Sequence, residues 1–489
     1  MGDTFFRDLQ FDNTDSLQRQ LYQQLHQRIV SGRLSSGMRI PASRALAQNL
    51  GVSRNTVSLV LEQLKAEGYL ESHVGKGVFV SQQLPPVVDA LVSDAEVLPL
   101  PRLSDYAEVL SSLPPDHGAK DRPFAPGLPD VNAFPMSAWT RIVRRQLDRP
   151  HLQTYDCDQG YLPLREALAG YLRASRGVRC DAEQIIITQG AQQAISLCAQ
   201  VLLNRNDTVL LEEPGYRGAR TAFEAHQCQL QPAYVSDNCI DVDQLPKKTA
   251  ARLLYITPTH HYPLGGILPA SDRLRLLQWA AKTDTWILED DYDSEFHFVG
   301  KPIAALQGMA SQTPVIYMGS FSKTLLPALR LGFLVVPKSL AAVFSKAKNA
   351  MAGESPLLTQ AAVAEFIEEG HFVRHLRKMR KHYHSKWLHT LKLLEEHCGD
   401  HVEVIAQSAG MHLVIRFDQL DDVALAGEFS NKGYGSTPLS SYSLSSTSDA
   451  ARMSGLVLGF ANTTESQRIN GIKVLAQLIK KGRRRKAIT

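Results

Sequence analysis

The chain has 489 residues, 44% of them hydrophobic and 21% charged, an ordinary globular composition with length for two or three domains. A net charge of +4 is too small to define a partner, and six widely spaced cysteines with no Cys-x-x-Cys argue against a disulfide scaffold or a thiolate metal site. No apolar run reaches the roughly 18 residues of a membrane span, and polar residues 1–20 do not read as a signal peptide, so a cytoplasmic chain with no membrane partner is expected.

Leu17, Leu21, Leu25 and Ile29 recur at every fourth position, which predicts an amphipathic helix over 16–33 ended by Gly32. A short second helix follows over 43–50, then the turn Gly51-Val52-Ser53. Ser53 is placed to cap a third helix running to about Glu67, with Val57, Val60, Leu61 and Leu64 inward and Gly68 as its stop. Residues 69–80 predict a two-stranded wing with the tip Gly75-Lys76-Gly77. Residues 16–84 hold eight Lys/Arg against three Glu and no Asp, a balance suited to a polyanion. Helix, turn and wing in this order resemble the GntR-type winged helix-turn-helix over about residues 16–81. The resemblance implies double-stranded DNA as partner. The third helix would enter the major groove by its N-terminal end, where Arg54, Asn55 and Thr56 lie. Arg44 and Arg39 would hold phosphates or a guanine edge, and Gly75 and Lys76 would bring the wing tip to the backbone. A solvated basic module that binds protein is the alternative.

Residues 83–120 lose all periodicity, with Pro85, Pro86, Pro99, Pro101, Pro114 and Pro115 interrupting short apolar pieces. Such a stretch is expected to be a linker between a DNA-binding domain at 1–82 and a larger domain at 121–489. From about Arg122, predicted strands at 184–188, 208–212, 253–257, 285–289 and 315–319 alternate with helices, which argues a mostly parallel sheet covered on both faces. After Pro356 a long helical region reaches Cys398. Strand-like 402–407 and 411–417 then suggest a smaller α+β subdomain over about 375–489. The basic stretch Arg374-His375-Leu376-Arg377-Lys378-Met379-Arg380-Lys381 reads as a solvated or interface face, and the tail Arg483-Arg484-Arg485-Lys486 as a disordered end.

Lys323 follows the apolar run Val315-Ile316-Tyr317-Met318, inside a frame of Ser320, Ser322, Arg330 and Gly332. An amine at a strand end beside two hydroxyls and an arginine suits an aldehyde-phosphate cofactor. The amine forms a Schiff base, and the hydroxyls and guanidinium hold the phosphate. Gly190-Ala191-Gln192 lies between a predicted strand and helix and offers backbone amides as a second part of that anion site. Asp290 follows Trp286-Ile287-Leu288, where a carboxylate would keep a pyridine nitrogen protonated. Its neighbours Glu289 and Asp291 leave the register open on the residues alone.

Together with Pro126-Gly127-Leu128-Pro129-Asp130 and Glu213-Pro214-Gly215-Tyr216, these motifs resemble fold-type I aminotransferases from about Arg122 to Ile479. Joined to the winged helix, the chain resembles the MocR/GabR class of regulators. The fold class implied is α/β, a winged helix-turn-helix followed by an aminotransferase-like large domain and a smaller C-terminal α+β domain. The cofactor implied is pyridoxal 5'-phosphate on Lys323. The resemblance selects Asp290, assigns Tyr292 to the ring's 3-oxygen and Tyr216 to stacking, and places Tyr155 against the partner subunit's phosphate in a homodimer. Two departures matter. His261-Tyr262-Pro263-Leu264-Gly265 stands where ordinary aminotransferases carry Asn-Pro-x-Gly, with Tyr262 in the asparagine's place. The usual carboxylate-binding arginine has only a loose counterpart in Arg452, with Arg217 and Arg220 as further effector contacts. Adjacent His260 and His261 diverge and are expected to be loop histidines rather than a metal pair. The function implied is a DNA-binding transcriptional regulator that senses an amine, an amino acid or the cofactor itself through aldimine exchange at Lys323, with at most a residual transaminase half-reaction. The alternative is a working aminotransferase with an accessory DNA-binding domain.

Overall fold

The computed structural model describes residues 15–83, 102–112, 121–155, 157–299, 303–310, 314–405, 409–418, 420–444 and 453–486, together with residues 6, 9, 11 and 12. The chain divides into two compact units, Met1–Arg102 and Leu103–Thr489.

In the first unit the helix Leu17–Val30 starts at Ser16, whose side chain accepts from the Arg19 N–H. Leu21, Leu25 and Ile29 are buried as their spacing predicts, but Leu17 is not, because it sits in the solvated first turn. The helix Arg54–Ala66 packs on it and the helix Ser43–Leu50 packs on Arg54–Ala66, with Gly51 left-handed between these two at φ 66°. Ser53 Oγ accepts from the Thr56 N–H at 3.0 Å, the expected cap. The expected two-stranded wing forms, and a third strand joins its sheet. Strands β1 (Arg39–Ile40), β2 (Leu70–His73) and β3 (Gly77–Val80) run in the order β1-β3-β2, and β1 is too short to leave a periodic signal.

The second unit is built on an eight-stranded sheet. Its strands are β4 (Ile185–Thr188), β5 (Thr208–Glu213), β6 (Gln229–Ser236), β7 (Cys239–Ile240), β8 (Ala251–Ile256), β9 (Trp286–Asp291), β10 (Val315–Ser320) and β11 (Gly332–Val335). The order is β4-β11-β10-β9-β8-β5-β6-β7, with β11 antiparallel to both neighbours, β7 antiparallel to β6 and the other pairings parallel. Each predicted strand forms at its place. The sequence missed β6, where Ala233 alone is fully buried, and the short β7 and β11. The helical region after Pro356 is two helices, Leu357–Glu368 and His371–Cys398, separated at left-handed Gly370. A second sheet, ordered β12-β13-β15-β14, joins β12 (Glu403–Ile405), β13 (His412–Arg416), β14 (Thr437–Pro438) and β15 (Gly455–Gly459).

Within residues 83–120, read as a linker, the helix Asp105–Ser112 forms, and its Asp105 carboxylate lies 3.4 Å from Arg205. One expectation is corrected: the basic tail is not a disordered end. The helix Glu465–Lys486 carries through it, because Ile472, Leu475 and Ile479 are buried and Arg483 donates to the His401 carbonyl at 3.1 Å.

Candidate functional site

On the winged helix, Arg39, Arg44, Arg54, Asn55 and Lys76 are all exposed. Thr56 is half-buried and its hydroxyl sits 2.8 Å from Ser53 Oγ, so its side chain serves the cap as well as the helix face. Gly75 turns at φ 76° with open space around it, and a Cβ at Gly77 would come within 3.2 Å of the Arg39 guanidinium. Gly77 therefore leaves room for the Arg39 side chain against the wing.

In the second unit, Lys323 sits in the turn after β10. Its Nζ donates to the Gly127 carbonyl at 2.5 Å. Burial pulls the amine's pKa down, while the carboxylates of Asp293 and Asp290 oppose that pull. Strand alternation in β9 resolves the register that the residues left open. Glu289 accepts from the Leu306 and Gln307 N–H groups at 2.7 and 2.8 Å. Asp291 pairs with Arg176 at 2.8 Å and accepts from Tyr317 at 2.7 Å. Asp290, between them, accepts among the described residues only from Tyr255 Oη at 2.5 Å, and burial pushes its carboxyl up to about 7. It is the strand acid whose charge reaches Lys323.

Gly190 turns at φ 84° immediately before the helix Ala191–Leu202. The guanidinium of Arg330 stands 3.5 Å from where a Gly190 Cβ would be and donates to the Gln189 carbonyl at 3.3 Å. The first N–H groups of that helix and the Arg330 cation thus meet at one glycine, next to the strand end that carries Ser320 and Ser322. Gln192 points its amide at the Gly218 carbonyl, 2.9 Å away. Tyr216 lies near-parallel to Tyr255 (centroids 6.4 Å, 25°) and edge-on to Tyr262. Its ring occupies the space a Gly218 side chain would need, 2.5 Å from the added Cβ.

Tyr292 Oη lies 2.9 Å from His260 Nδ1. His260 and His261 lie in the loop after β8, and both are buried. They do diverge. His260 faces Asp293 at 2.8 Å, whereas His261 faces Glu212 at 3.8 Å and burial pushes its pKa down to about 3. The described residues contain no cluster able to hold a metal. The C-terminal sheet roofs this region. His412 donates to the Pro263 carbonyl at 2.9 Å, and Tyr442 meets Tyr262, oxygen to oxygen, at 3.0 Å. Sequence reasoning missed Tyr255, Asp293, His412 and Tyr442. Tyr255 had a local signal, being an aromatic inside a buried strand, but the rest acquire their roles from distant partners. Arg217 is the half-buried first residue of the helix Arg217–Ala225, and Arg220 is committed to Glu224 at 2.9 Å. Tyr155 stands apart from the other residues, 91% exposed. Arg452 lies outside the described residues.

Residues 17–80 match the gntR family of bacterial regulatory proteins, and residues 128–465 match aminotransferase class I and II. The chain is 39% identical, over 94% of its length and 93% of the relative's, to a probable rhizopine catabolism regulatory protein MocR of Rhizobium meliloti. This chain belongs to the MocR-type transcriptional regulators. A pyridoxine biosynthesis regulator, PdxR, of Corynebacterium glutamicum is 29% identical over 92% of the chain and 93% of its own length. Among solved structures, the α-aminoadipate aminotransferase LysN of Thermus thermophilus, complexed with N-(5'-phosphopyridoxyl)-L-leucine, superposes with a TM-score of 0.68 at 27% identity, covering 78% of this chain and 95% of that one. As a MocR-type chain with a class I and II aminotransferase domain, it takes pyridoxal phosphate as its cofactor. The pocket fits that group: a half-buried amine, a buried carboxyl ready to face a ring nitrogen, and a helix N-terminus with an arginine at its glycine.

The Asp290 carboxyl carries a consequence for the cofactor-free protein. In the unfolded chain it ionises near 3.8, but in the folded chain it keeps its proton to about pH 7. The folded state then binds the extra proton, so stability falls as pH rises through that window. Urea unfolding of the cofactor-free protein between pH 4 and pH 7 is expected to show this decline, and Asp290→Asn is expected to flatten part of it. An unchanged slope in Asp290→Asn would contradict the buried, protonated assignment.

Proposed function

We propose that this regulator reads operator DNA with its winged helix and senses an amine, an amino acid or the cofactor itself by exchange at Lys323. The observation that carries this reading is the meeting of the Lys323 amine, the Asp290 carboxyl and the Gly190–Arg330 anion site in a chain that also bears a gntR-type reading helix. Pyridoxal phosphate, when bound, supplies an aldehyde that amines condense with and a ring that withdraws electrons. The chain's own residues do the rest. Lys323 would hold the cofactor through its amine, where a competing amine would act. Asp290 would keep a proton on the ring nitrogen, and Tyr216 would cover a ring face. Tyr292 would donate to the 3-oxygen. Gly190, Ala191, Gln192, Ser320, Ser322 and Arg330 would hold the phosphate. Arg217 and Arg452 are assigned to the effector's carboxylate.

The domain assignment that goes with this is a winged helix over 1–82, a linker over 83–120 and an effector domain over 121–489 with its small subdomain from about 375. Two half-sites on DNA call for two reading helices, so the working unit is a homodimer, in which exposed Tyr155 reaches the partner's phosphate site. Arg44, Arg54, Asn55, Thr56, Gly75 and Lys76 form the DNA face. A regulator of this kind works in the cytoplasm, where its DNA is. The second reading, a working aminotransferase, is favoured by the retained lysine, aspartate and anion site. Against it stands Tyr262, which occupies the asparagine's place and is tied to Tyr442.

Three measurements test this reading. Lys323→Ala is expected to abolish the visible absorbance of the purified protein while leaving its circular dichroism unchanged; an unaltered band would overturn the Lys323 assignment. Arg54→Ala is expected to weaken operator binding in a mobility shift by about 1–3 kcal/mol, and no loss would move the DNA face elsewhere. Sustained keto-acid release from an amino acid, rather than a single spectral change, would favour the enzyme.

A further inference from the structure

The pair His260–Asp293 is absorbed neither by the cofactor's phosphate site nor by its ring-nitrogen partner, yet it is among the most enclosed polar groups in the chain, 4% and 1% exposed. His260 Nδ1 lies 2.8 Å from Asp293 Oδ1 and 2.9 Å from Tyr292 Oη. One ring nitrogen carries at most one hydrogen, and a carboxylate only accepts. Nδ1 is therefore the donor toward Asp293. It has no lone pair left to accept from Tyr292, so the Tyr292 hydroxyl hydrogen is turned elsewhere.

The surroundings hold this arrangement in place. Gly410 turns at φ 75° over the pair, and a Cβ there would fall 2.2 Å from His260 Cε1 and 2.7 Å from Asp293 Oδ2. Asp293 Oδ2 has no hydrogen-bond partner among the described residues, and its charge reaches the Lys323 amine. Among the described residues, His261, His297 and His412 also lie within electrostatic reach of His260, and Lys323 lies within reach of His412. His412, whose ring lies 5.4 Å from that of His260, spends its Nε2 hydrogen on the Pro263 carbonyl. Tyr262, in the place of the asparagine of ordinary aminotransferases, is engaged with Tyr442. Tyr292 is then the hydroxyl left to serve the ring's 3-oxygen, and which way its hydrogen points matters.

We propose that His260, anchored by Asp293, is a positioning residue that turns the Tyr292 hydroxyl hydrogen away from itself and toward a ligand in the Lys323 pocket. The proposal rests on the reading of Lys323 as the cofactor's anchor. A hydrogen bond donated to the deprotonated 3-oxygen favours that form, so losing it raises the pH midpoint of the visible band.

The test is a pH titration of that band in the full-length, cofactor-loaded protein. Tyr292→Phe sets the scale. His260→Gln moves the amide away from the Nδ1 position, and is expected to raise the midpoint as much as Tyr292→Phe does, by at least about half a pH unit, roughly a threefold change in proton affinity. The double variant is expected to go no further than either single one. His260→Asn, whose amide nitrogen stands where Nδ1 stood, is expected to keep the wild-type midpoint. A wild-type midpoint in His260→Gln, or a shift that adds to that of Tyr292→Phe, would overturn the proposal. A second measurement needs neither variant nor cofactor. Ring nitrogen shifts of ¹⁵N-histidine-labelled, cofactor-free protein are expected to show hydrogen on His260 Nδ1, and a bare Nδ1 overturns the proposal. If Lys323→Ala loses the band while His260→Gln leaves the midpoint alone, the cofactor reading stands and this one fails. If the wild-type protein has no band, the cofactor reading fails and the ring nitrogens still test His260.

Discussion

The alternation of side chains along β9 is the constraint on which the effector unit depends. Three consecutive acids, Glu289, Asp290 and Asp291, are buried in the middle of a sheet, where an unpaired carboxylate is costly. A period of two sends them to different partners. Glu289 takes two backbone N–H groups at the start of the helix Leu306–Met309, and Asp291 takes the Arg176 guanidinium. Asp290 is left facing the Lys323 side, with Tyr255 as its single hydrogen-bond partner among the described residues. Burial raises its pKa and leaves it waiting for a positively charged neighbour, which is what a protonated ring nitrogen provides. A shift of one residue in this strand would exchange the structural acid for the functional one.

The same economy of partners runs through the pocket. Arg330 adopts a left-handed backbone at φ 50°, which brings its guanidinium over Gly190. Gly218 leaves room for the Tyr216 ring, and Gly127 accepts the Lys323 amine at a spot where any side chain would collide with it. Glycine appears here because side chains from elsewhere in the fold need its space, not for flexibility. Residues 409–412 and 439–444 of the C-terminal part complete the enclosure. The site is thus shared between the eight-stranded sheet and the C-terminal part.

Much of this was legible in the sequence because it is local. Helix periodicity placed Leu21, Leu25 and Ile29 inward, Ser53 announced its cap, and the frame around Lys323 named amine, hydroxyls and arginine within a few residues. The motif resemblance then chose Asp290 among three acids. What stayed hidden is non-local or weakly patterned. Strand β6 fully buries Ala233 alone and shows no apolar run. The helix Asp105–Ser112 is short and lies among prolines. His260 and Asp293 are 33 positions apart and look like unremarkable polar residues until Gly410 closes over them. His260 and His261 look alike in the chain and differ only in what the fold puts opposite them.

The central claim is that a ligand at Lys323 changes how the winged helix holds DNA. Binding linkage makes this a single number: the factor by which an effector changes operator affinity equals the factor by which operator changes effector affinity. The most direct measurement is to titrate an amine or amino acid that moves the visible band, with and without operator, and to titrate operator with and without that compound. The account predicts two equal factors, both different from one. A compound that moves the band while both factors equal one would contradict it.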